Sequence, residues 1–335
     1  MASRSLLAVS NLCTPAALTS AMPHRLGFGD ARSYHNCLLI LARPLSAGPG
    51  SLQGIYVTHS REIDRAHRLS PLVLVESVWR HRATIGSLAM REVQGKYKGS
   101  VLGVFWSLVN PLFMLAIYTF VFSEVFRMRW GGGLDHPLDF ALMLFAGMVV
   151  FGFISEVLTR APTLVTANPN LVKKILFPLE ISAPVAMISA TFQFGIGLVL
   201  LLSAYTVSKG APPATAFLFP LIALPLFLLA LGMAWFISSL GVFIRDISQL
   251  IGHVLMVAMF LSPIFYPITA IPERFRQFFY LNPLTFLVEQ ARKVLILGEP
   301  PDWTHLALFT GFAVIVCYLG FAWFQFTRKG FADVL

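Results

Sequence analysis

Between Val101 and Ser123 the chain runs for 23 residues without a charge. A helix of that length, rising about 1.5 Å per residue, crosses a hydrocarbon core of about 30 Å. Comparable apolar runs extend over about Leu138 to Val157, Ile181 to Val207, Ala216 to Ile244, Ile247 to Pro267 and Trp303 to Thr327. Nothing that folds in water needs so many, and the composition agrees, with 56% hydrophobic and only 12% charged residues in 335. A backbone in lipid must satisfy its own polar groups, so such runs read as helices. The predicted class is therefore all-α integral membrane, with six transmembrane helices within residues 71–335.

The segments between the runs set orientation. Eight Lys and Arg residues lie from Arg61 to Lys98, Arg160, Lys173 and Lys174 lie between spans two and three, and Arg328 and Lys329 follow span six. Cationic loops stay inside, so both termini are predicted to be cytoplasmic. Arg274, Arg276, Arg292 and Lys293 lie against that rule, partly offset by Glu273, Glu289 and Glu299.

Residues 1–70 are rich in Ser, Gly, Pro and Arg, without sustained periodicity, and read as a disordered tail. A targeting signal around Arg4 and a start site further downstream are the alternatives. From Leu72 to Gln94, apolar Val75, Val78, Trp79, Ile85, Leu88, Ala89 and Val93 recur at helical spacing, with Arg80, His81, Thr84, Ser87 and Arg91 on the other side. This predicts an N-terminal amphipathic interface helix, with Trp79, Arg80 and Arg82 as its interface residues. Arg91, Lys96 and Lys98 stand just before span one, where they either meet lipid phosphates or only fix topology. Asn110-Pro111 interrupts that span and frees a carbonyl, which must be buried against protein, line a wet path or mark a kink.

Two further segments are unusual. In Ala161 to Glu180, Asn168 is a helix cap, Pro169 suits the first helical position and Pro178 ends the helix near Phe177. Leu171, Val172, Ile175 and Leu176 fall on one side and Lys173 and Lys174 on the other. The segment is either a topology-fixing loop or a handle for a cytoplasmic partner. From Ile268 to Pro301 the apolar piece Gln277 to Val288 is too short to cross and is broken at Asn282-Pro283. It predicts re-entrant outer helices between spans five and six.

Several chemistries are excluded. No phosphate-binding G-x-x-x-x-G-K-[ST] loop occurs, and the spans leave no room for a nucleotide-binding domain. The net charge of +9 forms no aromatic-interleaved basic patch, so lipid, not nucleic acid, is the expected partner. Cys13, Cys37 and Cys317 have no paired spacing, which gives neither a disulfide framework nor a metal site. Ionisable groups within spans are few, namely Glu156, His253 and His305, which disfavours an ion-coupled carrier. Asp135, His136 and Asp139 form the one tight acidic cluster, and a polytopic lipid-linked-sugar enzyme gathers more. Trp106, Tyr118, Phe265 and Tyr266 lie near the kinked parts of spans one and five, where flat rings suit a passing sugar polymer or an interfacial belt.

Three stretches carry a resemblance: REVQGKYKGSVLGVFWSLVNPL from Arg91, ANPNLVKKILFP from Ala167, and LSPIFYPITAIPERFRQFFYLNPLTFLVEQAR from Leu261. With the closing KGFADVL, they resemble the permease subunit of polysaccharide-exporting ABC transporters, over about Leu72 to Leu335. The resemblance implies a homodimer in the cell inner membrane carrying two copies of a separate ATPase. That ATPase would bind ATP and Mg, with no cofactor and no metal in this chain. The cargo implied is an undecaprenyl-diphosphate-linked O-antigen, capsular or teichoic-acid-type glycan. Asn168, Pro169, Leu171, Val172, Lys173, Lys174 and Ile175 match the ATPase-coupling helix, and spans one and five the dimer-facing conduit walls. Arg91, Lys96 and Lys98 would admit the lipid diphosphate, and Trp106, Tyr118, Phe265 and Tyr266 the glycan. A drug or small-lipid exporter of the same superfamily is the alternative.

Overall fold

The computed structural model describes residues 71–99, 102–125, 130, 137–167 and 178–334. The proposed tail of residues 1–70 and the segment 168–177 lie outside them. Every element among the described residues is helical. Five stretches are long and apolar enough to cross a membrane: Gly103–Phe122, Leu138–Thr163, Leu179–Lys209, Ala214–Phe243 and Trp303–Gly330. They contain helices α3 (Trp106–Thr119), α4 (Pro137–Arg160), α5 (Ser182–Lys209), α6 (Phe219–Phe243) and α10 (Trp303–Thr327).

The predicted fifth span is shorter than the sequence suggested. Helix α7 covers Ile247–Leu261, 15 residues, and does not reach Pro267. Ser262 is already extended (φ −95°, ψ 142°), because the ring of Pro263 disfavours helical geometry in the residue before it. The interface helix also differs, dividing at His81 into α1 (Pro71–Arg80) and α2 (Arg82–Tyr97). The backbone N–H and ring Nδ1 of His81 both meet the Ser77 carbonyl, at 3.1 and 2.9 Å, a local side-chain competition that bends the chain. Ile85, Ala89 and Val93, one helical turn apart, are buried where α2 packs on α5, whereas Trp79 is 69% exposed. The apolar stripe therefore serves the bundle more than it serves a lipid surface.

Helix α4 is the centre of the bundle. Its Phe153 meets Phe194 of α5 at 5.3 Å and Phe227 of α6 at 4.7 Å between ring centroids. Helices α6 and α10 cross at glycines: a Cβ on Gly232 would lie 2.6 Å from Cys317 Cα, and one on Gly320 would overlap the Gly232 carbonyl. Between hydrocarbon-covered helices the attraction is packing, so small residues that bring backbones together set the contact.

Prolines inside apolar helices free carbonyls, and the fold supplies donors. Helix α3 continues through Pro111, which leaves the Ser107 carbonyl without its N–H partner; Gln193 of α5 donates to it at 2.9 Å. At the end of α7, the carbonyls of Pro263 and Ile264 accept from Arg292 Nη1 at 2.5 Å and Nη2 at 2.8 Å. Arg292 Nε donates to the Met143 carbonyl of α4 at 2.8 Å, and the guanidinium lies 4.3 Å from the Trp130 ring centroid. Arg292 closes α9 (Pro283–Arg292), which follows α8 (Glu273–Tyr280). Asn282 caps α9, its side chain accepting from the Leu284 N–H at 3.0 Å, so the predicted break at Asn282-Pro283 stands. Gly147 leaves room for the cation, since a Cβ there would lie 2.9 Å from Arg292 Nη2.

Arg292→Met removes three buried donors, and is expected to cost about 3 kcal/mol. Arg292→Lys fails to rescue it, because an ammonium lacks the planar fork. Thermal unfolding in detergent checks both: a transition unchanged from the parent excludes Arg292 as the tie between α4, α7 and α9. Gly232→Leu is expected to separate α6 from α10 and lose the monodisperse peak on size exclusion.

Candidate functional site

The end of the bundle where α4 finishes and α5 begins, its base, gathers most of the predicted site. Beyond Arg160 the chain makes a tight turn, Ala161–Thr163, with Ala161 and Pro162 buried. A Cβ on Gly241 of α6 would overlap the Pro162 carbonyl, so turn and helix touch backbone to backbone. Val165 is buried at 2% exposure ahead of residues 168–177, and Leu179 and Ile181 are buried after them. Glu180 is tied three ways: its carboxylate pairs with Arg328 at 2.7 Å and accepts from Ser77 Oγ at 3.4 Å, while its carbonyl accepts from Trp235 Nε1 at 2.9 Å. Asn168, Pro169, Leu171, Val172, Lys173, Lys174 and Ile175 lie outside the described residues, but both flanks of their segment are rooted in the bundle.

Alongside, α2 and α4 are joined by a two-rung ladder of ion pairs. Glu92 pairs with Arg160, and Lys96 pairs with Glu156. Each helix contributes an acid and, four residues later, a base, so the two helices running antiparallel match charge for charge. Arg160 also donates to Ser189 Oγ of α5 at 3.3 Å. Lys96, for which the sequence left a lipid phosphate or a topological role open, is held here by the carboxylate of Glu156. Arg91 is exposed and lines a cavity of about 630 Å³ with Glu92, Arg160, Leu164 and Ile181, and Lys98 is exposed after α2. On α1, Arg80 pairs with Glu76 at 2.5 Å, and Arg82 lies 4.9 Å from the Trp79 ring centroid and donates to the Trp79 carbonyl at 3.0 Å.

The four aromatic candidates do not form one surface. Trp106 is 41% exposed near the start of α3, and Tyr118 lies about 18 Å further along the same helix. Tyr118 meets Phe265 edge-on at 5.3 Å, and Phe122 stacks on Phe265 at 5.0 Å. Phe265 is 3% exposed, so it supports the wall of a cavity of about 500 Å³ and offers no open face of its own. Tyr266 donates its hydroxyl to the Phe260 carbonyl and turns its ring edge-on toward Phe279. The break after Leu261 folds Phe265 back into the bundle.

The other titratable candidates are locally engaged. His253 Nδ1 meets the Gln249 carbonyl at 2.9 Å, and Asp139 pairs with Lys209 at 2.8 Å. Asp302 caps α10, and hydrogen bonds from His305 hold its carboxyl below the usual range. Asp135 and His136 lie outside the described residues. Among the described residues no group of three His, Cys, Asp or Glu side chains is placed to hold a metal ion. The sequence reading missed the ladder, the Gln193 tie and the Arg292 clamp. For the ladder a signal existed, the paired spacing of Glu92 with Lys96 and Glu156 with Arg160.

The chain is similar along most of its length to known permeases. It is 22% identical over 262 residues to the O-antigen export system permease protein RfbA of Myxococcus xanthus, covering 78% of this chain and 98% of that protein. It is 25% identical over 248 residues to the protein of the same name from Klebsiella pneumoniae, covering 73% of this chain and 92% of the relative. The polysialic acid transport protein KpsM of Escherichia coli is 20% identical over 249 residues, 74% of this chain and 94% of its own length. The family model for ABC-2 type transporters matches residues 84–296, from the first turn of α2 into the helical turn that follows Arg292, a region that holds the ladder, both flanks of residues 168–177 and the buried clamp. With that match the bundle has its place: the chain belongs to the ABC-2 type transporter family.

Proposed function

We propose that this chain is the membrane subunit of an ABC transporter that exports a lipid-linked polysaccharide across the inner membrane, driven by a separate ATPase. Relatives over nearly their whole lengths are named O-antigen export and polysialic acid transport proteins. The single structural observation carrying the motor assignment is the rooting of both flanks of residues 168–177 against α4, α5 and α6. A force applied there moves α4 and α5 as rods; a flexible loop would absorb it.

In this reading α7 and its broken continuation form the sixth crossing, α8 and α9 enter the outer leaflet, and both termini are cytoplasmic. Two copies assemble along α3 and α7. Of the window that makes Gly103–Phe122 a span, only 6% is buried, and α7 leaves Leu250, Val254, Val257 and Phe260 about half exposed or more. The diphosphate of an undecaprenyl-linked glycan enters near Arg91 and Lys98, and the sugar polymer passes Trp106 and Tyr118. ATP and Mg belong to the partner, and this chain contributes no cofactor.

The mechanism is a biased two-state gate. Nucleotide acts on the conduit only if the ATPase binds residues 168–177 with unequal affinity in the two states. Movement at the loop passes up α4 and, through Glu92–Arg160 and Lys96–Glu156, into α2. Each partly buried pair is worth on the order of 1 kcal/mol, enough to bias a switch without locking it.

Lys173→Glu with Lys174→Glu is expected to release the ATPase on affinity purification; unchanged co-purification removes the coupling assignment. Arg160→Glu alone is expected to reduce export about tenfold, and Arg160→Glu with Glu92→Arg to recover most of it. Equal export by the single and double variants excludes the ladder from transmission. Purified alone in liposomes with ATP, the chain is expected to move no glycan, and pumping by that preparation overturns the separate-motor reading.

A further inference from the structure

Helix α7 carries three faces, each recurring about one turn apart. Ile247, Ile251 and Leu255 turn toward the bundle: the first and last are buried, and Ile251 packs against the core. Leu250, Val254 and Val257 form an exposed face that is wholly apolar. Ser248, Gln249, Gly252 and His253 form a second exposed face that is polar, and Met256 and Met259 prolong it. Met259 lines the cavity of about 500 Å³ together with Tyr118 of α3 and Ser155, Glu156 and Thr159 of α4. The polar face of α7 therefore leads into a cleft between α3 and α7 whose floor on α4 is polar as well.

His253 is the residue on that face that lipid tolerates least. Helix α7 runs beside the span formed by α4, and His253 lies seven helical steps, about 10 Å, beyond Asp246 at the base. An imidazole is too short to reach the membrane surface from there, as a lysine or arginine does. Ionisable groups at such depth face a bundle interior or water, and His253 is exposed, not packed. Its Nδ1 meets the Gln249 carbonyl at 2.9 Å. A carbonyl only accepts, so Nδ1 carries the proton and Nε2 of the neutral ring keeps its lone pair. A Cβ on Gly252 would meet nothing within 4 Å, so the space beside the ring is open.

We propose that the face of α7 bearing Gln249 and His253 is a wet wall, and that His253 Nε2 accepts hydrogen bonds from hydroxyl groups of the moving glycan. The adjoining face of Leu250, Val254 and Val257 stays dry. This deepens the glycan-export reading and rests on it. A sugar hydroxyl donates to Nε2, and the Gln249 amide one turn away offers both a donor and an acceptor; a lipid tail offers neither. A second copy set against this face across a two-fold axis would bring two Nε2 acceptors together, which leaves both unsatisfied. Neutral hydrogen bonds of this kind exchange with water at small net cost, so the polymer is guided without being held.

The test uses the transporter complex with its ATPase in nanodiscs, in a background with Cys13→Ser and Cys37→Ser and the buried Cys317 kept. Single cysteines are placed on α7 and treated with a charged, membrane-impermeant methanethiosulfonate, read by mass spectrometry. Gln249→Cys, His253→Cys and Met256→Cys are expected to react at least tenfold faster than Leu250→Cys, Val254→Cys and Val257→Cys. Equal rates on both faces, or a His253→Cys that resists the reagent and forms a disulfide with its copy, would each overturn the wet wall. For the sugar contact, His253→Leu is expected to slow export about fivefold, and His253→Gln, which restores an acceptor, to stay within twofold of the parent. Parental export by His253→Leu, or equal loss in both variants, removes the hydrogen bond. The thiol map needs no transport, so a parent complex that exports no glycan sinks the glycan reading while the map still decides which face is wet.

Discussion

The buried guanidinium of Arg292 is the interaction on which the arrangement of the half of the bundle away from its base depends. A charge removed from water is tolerated only where several acceptors surround it. Here those acceptors are backbone carbonyls that the fold itself has stranded, at Pro263 and Ile264, together with Met143. Two costly features offset one another: the broken end of α7 needs donors, and the cation needs acceptors. Because the three carbonyls belong to α4 and to the chain leaving α7, satisfying the charge also fixes where α9 lies. Glu289 at 3.5 Å and the Trp130 ring complete the shell.

The same rule operates near the base. Pro111 strands the Ser107 carbonyl in the middle of an apolar helix, and the amide of Gln193 reaches across from α5 to meet it. In a membrane no water arrives to repair such a loss, so each proline break dictates a side-chain donor on a neighbour. Breaks that would be local in water become tertiary ties in lipid. The prolines thus specify helix neighbours.

At the base the ties are electrostatic and only partly buried, which suits a moving part. Glu180, held by Arg328, Ser77 and Trp235, pins the start of α5, while Arg160 shares itself between Glu92 and Ser189. Pairs of this kind exchange partners at modest cost, whereas the Arg292 cluster cannot open without stranding a charge. The molecule is stiff around Arg292 and negotiable at its base.

The long apolar runs determined by themselves that the chain is a helical membrane protein, because length against bilayer thickness leaves no other choice. The helix break at Asn282-Pro283 was equally legible, since proline chemistry is local. The end of α7 was not, because the run from Ile247 to Pro267 stays apolar through the break and hydrophobicity says nothing about hydrogen bonding. In sequence Arg292 stands as a cation against the topology rule, Lys96 as one of three cations before span one, and Phe265 as one of several rings near a kink. Each meaning changed only when a residue distant in sequence arrived beside it, Met143, Glu156 or Tyr118. Local signals set what each segment is; which stranded carbonyl meets which donor is a property of packing, and only the tertiary structure decides it.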